Sequence, residues 1–312
     1  MASIAVIGEL NLDLIVTGAA HTPQPGEEVI VERMDLTLGS SSAIMACQLA
    51  ALGDDVLFIS KVGGDDFGRR ALELLQQKGV QTDAVKVDPS LETGLTISVA
   101  IGAERSMLTV MGCIQELGYE DIDFDLLRGR RHLHISSFFL QRNLRPDIWR
   151  IFQQARRMGL TTSLDTGWPH SEEFNGDLSS VWLYLDVFLP NEAEAKLLSR
   201  QPDVESALAA IAARVSTVVA KLGPEGAMAR RRGVVVRQPG FMVDVVDTTG
   251  AGDSFNGGFL HGYLAGMDLA DCLDLGNACG ALSTRSPGGT TSQAALEEAL
   301  EFIRTAPRRV PG

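Results

Sequence analysis

Asp247-Thr248-Thr249-Gly250-Ala251-Gly252-Asp253 collects residue types suited to moving a phosphoryl group. Gly250 and Gly252 have no Cβ, so the backbone can turn tightly and present bare N–H groups. The run from Ser254 to Leu264 has helical composition. It therefore places the N–H groups of Gly250, Ala251 and Gly252 at a helix N-terminus, where partial positive charge and unsatisfied donors hold an anion. Asp253 stands out there. A carboxylate repels an anion, unless its task is to take a proton from the group attacking it. An N-capping aspartate is the structural alternative.

The elements needed to position this turn follow from the rest of the chain. Short apolar strands are predicted at Ile4–Ile7, Val56–Val62, His132–Ile135, Thr161–Asp165, Val187–Leu189 and Thr217–Lys221. Helices are predicted between them, at Ala43–Leu52, Phe67–Lys78, Pro146–Met158, Glu192–Ser199 and Val204–Arg214. This alternation implies a parallel sheet wrapped by helices, an α/β class with three α/β/α layers. The last third reads as helical, at Asp253–Leu264, Leu269–Thr284 and Ser292–Thr305. Two stretches break the rhythm. Leu14 to Leu38, with Val29-Ile30-Val31, and Thr93 to Val110, with Leu95–Ile101 and Met107–Val110, read as strands without intervening helices. Arg230-Arg231-Arg232 is expected at a solvated turn.

The chain has 312 residues, 45% of them hydrophobic and 21% charged, with a net charge of −13. That length buries a large core. The acidic balance argues against nucleic acid, whose phosphates demand basic surface, and against anionic membrane surfaces. No apolar stretch approaches the ~20 residues that cross a bilayer. The start carries no signal-like run, so a cytoplasmic protein is expected. Cys47, Cys113, Cys272 and Cys279 lack metal or disulfide spacing and read as buried free thiols. His132 and His134 share a strand face, but without a third ligand they read as structural. There is neither a P-loop nor a Gly-x-Gly-x-x-Gly after the first strand.

Asp247 to Phe255 resembles the C-terminal signature of the PfkB-type (ribokinase-like) carbohydrate kinases. Gly8-Glu9-Leu10-Asn11-Leu12-Asp13, Val62 to Gly68, Leu189 to Glu194, and Lys221-Leu222-Gly223-Pro224-Glu225-Gly226 resemble further family segments, in order and along nearly the whole chain. The resemblance implies a ribokinase-like fold over residues 1–312. Its small β-sheet lid is inserted from about 14–38 and 93–110. It also implies an ATP-dependent kinase that transfers the γ-phosphate to a hydroxyl of a small sugar or sugar acid, acting as a homodimer joined through the lid. Asp253 would be the general base and Gly250, Ala251 and Gly252 the anion hole. Asn11, Asp13, Gly39, Ser40 and Ser41 would contact the sugar; separately, Arg105 on the lid is read as a partner for a carboxylate or a polar tail of the substrate. Asn191, Lys221, Gly223, Gly226 and Asn277 would bind ATP. Glu194 would hold Mg2+ through water, and Asp247 and Thr249 a monovalent cation such as K+. Asn191 and Glu194 equally fit a helix cap with a first-turn acid.

Two segments depart from the family pattern. Where it usually reads Gly-Gly-x-x-x-Asn-x-Ala, this chain has Gly39-Ser40-Ser41-Ser42-Ala43-Ile44-Met45-Ala46. Ile44 removes an amide donor and acceptor, so the hydroxyls of Ser40–Ser42 are expected to compensate, or the substrate to lack the matching group. Asp165-Thr166-Gly167-Trp168 also differs from the family's acid-sugar kinases. A nucleoside kinase, with Phe138, Phe139 and Trp168 forming a purine slot, and a non-catalytic sugar sensor are the alternatives. Asp253 argues against the sensor.

Overall fold

A computed structural model describes residues 1–101, 104–167 and 177–309. Along the chain run β1 (Ser3–Ile7), β2 (Asn11–Thr17), β3 (Arg33–Leu38), α1 (Ser41–Ala51), β4 (Asp55–Gly63), α2 (Asp66–Gln77), β5 (Gln81–Asp88), β6 (Gly94–Ile101) and β7 (Glu104–Val110). After them come β8 (His132–Ile135), α3 (Ile148–Arg157), β9 (Thr161–Leu164), α4 (Asp177–Val181), β10 (Val187–Phe188), α5 (Glu192–Ser199) and α6 (Val204–Ile211). The chain closes with β11 (Thr217–Lys221), β12 (Ala227–Arg231), β13 (Val234–Gln238), α7 (Ala251–Ala265), α8 (Leu269–Ser283) and α9 (Leu296–Thr305).

One sheet orders its strands β13-β12-β11-β10-β9-β8-β1-β4-β5. Pairing is parallel from β5 across to β11 and antiparallel through β12 and β13. β1 explains the layering. Its sequence is apolar at successive positions, so both faces can be buried. Ala5 and Ile7 pack into one core with Phe152 of α3 and Leu208 of α6. Ile4 and Val6 pack into the other with Leu49 of α1 and Phe259 of α7. Each fully buried side chain of this size contributes about 1.5–3 kcal/mol. The result is the three-layer arrangement expected from the sequence.

A second sheet orders its strands β3-β2-β6-β7, with β2 and β6 parallel and both outer pairs antiparallel. Asp65 ties it to the main body. Its carboxylate caps α2 by accepting from Gly68 N at 2.7 Å, and it accepts from Thr93 N at 2.8 Å and Thr93 Oγ1 at 2.7 Å. These donors hold the Asp65 carboxyl below its usual range despite partial burial.

Two expectations need correction. Val29-Ile30-Val31 is not a strand: β2 ends at Thr17, opposite Arg33, so earlier residues have no partner strand, and Ile30 is 80% exposed. β5 was not expected, because as an edge strand paired only with β4 it carries few buried side chains and little apolar alternation. Arg232 does sit exposed in the β12–β13 turn, at φ 50°, but Arg230 and Arg231 are half-buried residues of β12, with Arg231 over the Tyr263 ring. All four cysteines are buried and free. Among the described residues, no helix is long and apolar enough to cross a membrane.

Candidate active site

The glycine turn does enter a helix. Gly250 caps α7 in the left-handed region at φ 71°. Its neighbours also demand glycine, since a Cβ there would stand 2.8 Å from Ile44 Cγ2 and 2.9 Å from Gly289 Cα. Asp247 secures the turn from behind, accepting from Thr249 N at 2.7 Å and Gly288 N at 2.9 Å. This gives Asp247 a turn-holding role within the pair read as a cation site. Of the expected anion-hole donors, Ala251 N–H is turned inward to Thr248 O at 3.2 Å. The N–H groups of Gly250 and Gly252 have no partner among the described residues.

Asp253 lies in the first turn of α7. Burial pushes its carboxyl up to about 7, the Asp165 charge adds to the shift, and Lys221 and the Ser41 hydroxyl oppose it. A carboxyl at that value is balanced between accepting and holding a proton at neutral pH. Lys221, at the end of β11, is bound to Asp165 Oδ2 at 2.5 Å and to Asn256 Oδ1 at 3.2 Å. Asn256 in turn donates to Asp165 Oδ2 at 2.6 Å, and Gly167 N to Asp165 Oδ1 at 2.9 Å. Within this buried network, Lys221 and its donors hold Asp165 below its usual range. A Cβ on Gly252 would lie 3.8 Å from Lys221 Nζ, so the ammonium sits beside the anion turn.

Sequence reasoning did not single out Glu9. Its buried carboxylate accepts from Ser137 Oγ at 2.9 Å, Ser42 Oγ at 2.9 Å and Gln141 Nε2 at 2.6 Å. It thereby joins the end of β1, the start of α1 and the 137–145 segment, and burial raises its pKa. Its place inside the Gly8–Asp13 motif was the available signal. Ser40 takes up a conformation that glycine would adopt freely, φ 70° and ψ 121°. Its hydroxyl offsets that strain by donating to Glu9 O at 2.5 Å and accepting from Ala43 N at 3.1 Å. Ser42 is fully buried against Glu9. Of the three hydroxyls expected to replace the missing asparagine, Ser41 is therefore the one not committed to α1 capping or Glu9. Ile44 itself is 3% exposed and wedged against Gly250 and Gly289.

Two clefts meet at this turn. The first, of about 950 Å³, is lined by Ser40, Ser41, Gly250 and Asp253, and by Asn11, Asp13, Thr96 and Thr109 of the small sheet. Asn11 Nδ2 donates to Asp13 Oδ1 at 3.2 Å, and Gly39 lies so close beneath that a Cβ would come within 2.2 Å of Asp13 Oδ1. Burial, then the Asp247 charge, pushes Asp13 up to about 6. The second cleft, of about 220 Å³, takes in Lys221, Gly223, Gly226, Ala251, Gly252 and Asn277. Phe241, Val243, Val245 and Ala281 give it an apolar wall.

Asn191 and Glu194 line neither cleft but stand beside Lys221 and Asp165. Asn191 and Glu194 form a reciprocal cap on α5, with Asn191 N donating to Glu194 Oε2 at 2.9 Å and Glu194 N to Asn191 Oδ1 at 2.8 Å. The Arg105 side chain and Trp168 lie outside the described residues. Phe138 is core, whereas Phe139 lines the first cleft. His132 and His134 are buried against Thr161, Ser163 and Ser136 hydroxyls, and burial depresses both to about 3. They are neutral structural residues.

Residues 1–296 match the pfkB family of carbohydrate kinases. The chain belongs to the PfkB family. It is 33% identical to an uncharacterised sugar kinase from Archaeoglobus fulgidus over 73% of this chain and 91% of that protein. It is 28% identical to the ribokinase of Haemophilus influenzae over 97% and 99%. A candidate ribokinase II from E. coli, crystallised with ATP and Mg2+, superposes with a TM-score of 0.87 at 24% identity, covering 97% and 99%. The PfkB fold is therefore present across the chain, which is an ATP-dependent sugar or nucleoside kinase.

Proposed function

We propose that this PfkB-family kinase phosphorylates a hydroxyl of a small sugar or sugar acid, with Asp253 as general base. One observation carries the reading: Asp253 and Gly250 line the first cleft, while Ala251 and Gly252 of the same turn line the second. A sugar in the first cleft and the triphosphate of ATP entering from the second would meet at α7.

Asn11 and Asp13 orient the sugar, and Asp253 takes the proton from the reacting hydroxyl. The oxygen forms a bond to the γ-phosphorus as the bond to the β-phosphate oxygen breaks, leaving ADP. Positioning and charge stabilisation supply most of the acceleration in such transfers. The donors at hand are Gly250 and Gly252 N–H, with the Lys221 ammonium beside them. The apolar wall of the second cleft suits an adenine ring, and Gly223, Gly226 and Asn277 border it.

Magnesium fits the chemistry of the site. Glu194 is a buried hard-oxygen donor whose pKa is raised by burial and by the Asp165 charge, an excess of negative charge that a cation relieves. Among the described residues no three acidic, His or Cys side chains form a cage, which suits an ion that keeps its waters and phosphate ligands. Asn191 and Glu194 would hold those waters, and the bound ion would supply charge neutralisation at the phosphates. A monovalent cation beside Asp247 and Thr249 would support the turn. Exposed Met34, Met107, Leu108 and Val110 on the small sheet support its action as a lid and as the contact between two copies.

The decisive experiment combines ADP release across a sugar and nucleoside panel with Asp253→Asn. The variant should bind ATP but lose about 10²–10⁴-fold in kcat. Retention of half the wild-type turnover would remove Asp253 from this role. Adenosine as the best substrate would favour a nucleoside slot around Phe139.

A further inference from the structure

The first cleft has two arginines that the kinase reading does not use. Its lining carries buried Glu9 and half-buried Asp13 and Asp253, together with half-buried Arg145 and exposed Arg142, which reaches its mouth. The arginines sit on a fixed turn. Gln141 is bonded to Glu9, Phe138 N to Asp165 O at 3.3 Å, Phe139 N to Thr166 O at 3.2 Å and Arg145 N to Gln141 O at 2.6 Å. Leu144, between the two arginines, is fully buried. The backbone that aims them is thus pinned to a carboxylate of the same lining.

Arg142 is exposed and has no acidic partner among the described residues, in a chain with 13 excess negative charges. Exposed Arg157, Arg200, Arg214, Arg232 and Arg237 likewise have no carboxylate partner among the described residues, so what sets Arg142 apart is its place in the lining of the cleft. The cleft, at about 950 Å³, is also larger than a bare pentose needs. A neutral sugar would engage the hydroxyl-binding groups and leave the Arg142 guanidinium without an anionic partner.

Resting on the kinase reading, we propose that Arg142 and Arg145 form a subsite for an anionic group on the sugar. The preferred substrate then carries a phosphate or a carboxylate at the end facing the mouth, while its reacting hydroxyl lies at Asp253. Guanidinium groups suit either anion, since their planar N–H groups match two oxygens at once.

The test compares ATP-dependent phosphorylation of ribose, fructose, ribose 1-phosphate, ribose 5-phosphate and 2-keto-3-deoxygluconate, with calorimetric binding of the same sugars. An anionic sugar should exceed the neutral ones at least tenfold in kcat/KM, and the phosphate and carboxylate arms separate the two sources. Arg142→Gln should lower the anionic-to-neutral ratio by about 10–100-fold, through KM rather than kcat. Arg142→Lys should restore part of it. A higher kcat/KM on ribose or fructose than on every anionic sugar, or an unchanged ratio in Arg142→Gln, overturns the subsite and leaves the kinase reading intact. Phosphorylation of no sugar overturns the kinase reading. Calorimetry then decides the subsite, which stands only if Arg142→Gln weakens binding of an anionic sugar.

Discussion

Ile44 of α1 packs directly against Gly250, so that a Cβ on the glycine would meet Ile44 Cγ2 at 2.8 Å. The anion-binding turn therefore rests on a hydrocarbon support that also contacts Gly289. Replacing the amide common in this family by a branched alkyl removes a possible sugar contact. In this chain it fills the space behind the turn.

Ile44→Asn should accordingly lose stability, by about 1–3 kcal/mol, because the new amide is buried with its polar groups unmatched. It should not improve kcat/KM on the best substrate. Denaturant unfolding and steady-state kinetics check both statements, and a gain in activity would show that the pocket still reserves a place for an amide.

Activity should rise with pH on the acid side, with kcat/KM passing its midpoint near 7, because Asp253 acts as a base only when ionised. The Asp165 charge contributes to holding that value up, so Asp165→Asn should move the midpoint to lower pH. Profiles of kcat/KM for both proteins decide this.

The same shift has a stability signature. Asp253 ionises near 3.9 in an unfolded chain and near 7 in the folded protein, so the folded state holds the extra proton between those values. This residue makes stability fall as pH rises through that window. Asp253→Asn removes the effect. The Tm of the variant relative to the native protein should therefore climb from pH 4 to pH 7; a constant difference would mean that Asp253 is not held protonated by its surroundings.

Glu194→Gln separates capping from metal binding. Glutamine can still accept at the start of α5, so thermal stability should change little. The magnesium concentration for half-maximal rate should rise. An unchanged magnesium requirement would leave Glu194 as a helix cap only.

Glu9→Ala should loosen the cleft wall, because it removes the acceptor shared by Ser42, Ser137 and Gln141 and leaves those buried donors unmatched. A loss of about 1–3 kcal/mol is expected, with faster hydrogen exchange in 137–145. Unchanged exchange there would show that the three contacts do not govern the segment.

The sequence by itself determined whatever depends on neighbours along the chain. Gly250 to Asp253 had to be a turn entering a helix, because only glycine takes φ 71° freely and the residues after it favour helix. β1 had to be central, because SIAVI offers apolar side chains to both faces. Asn191 and Glu194 had to share a side of α5, although spacing alone did not distinguish a cap from a cation ligand. β5, with little apolar alternation, and the displaced β3 escaped notice because pairing partners, not local composition, made them strands. The tertiary structure alone decided which distant charges would meet. Asp165 and Lys221 stand 56 positions apart and Glu9 and Gln141 stand 132 apart. The order β11-β10-β9-β8-β1 brings them together at one end of the sheet. Arg142 has no local pattern marking it as a ligand; its place at the cleft mouth follows from a turn that long-range hydrogen bonds hold there.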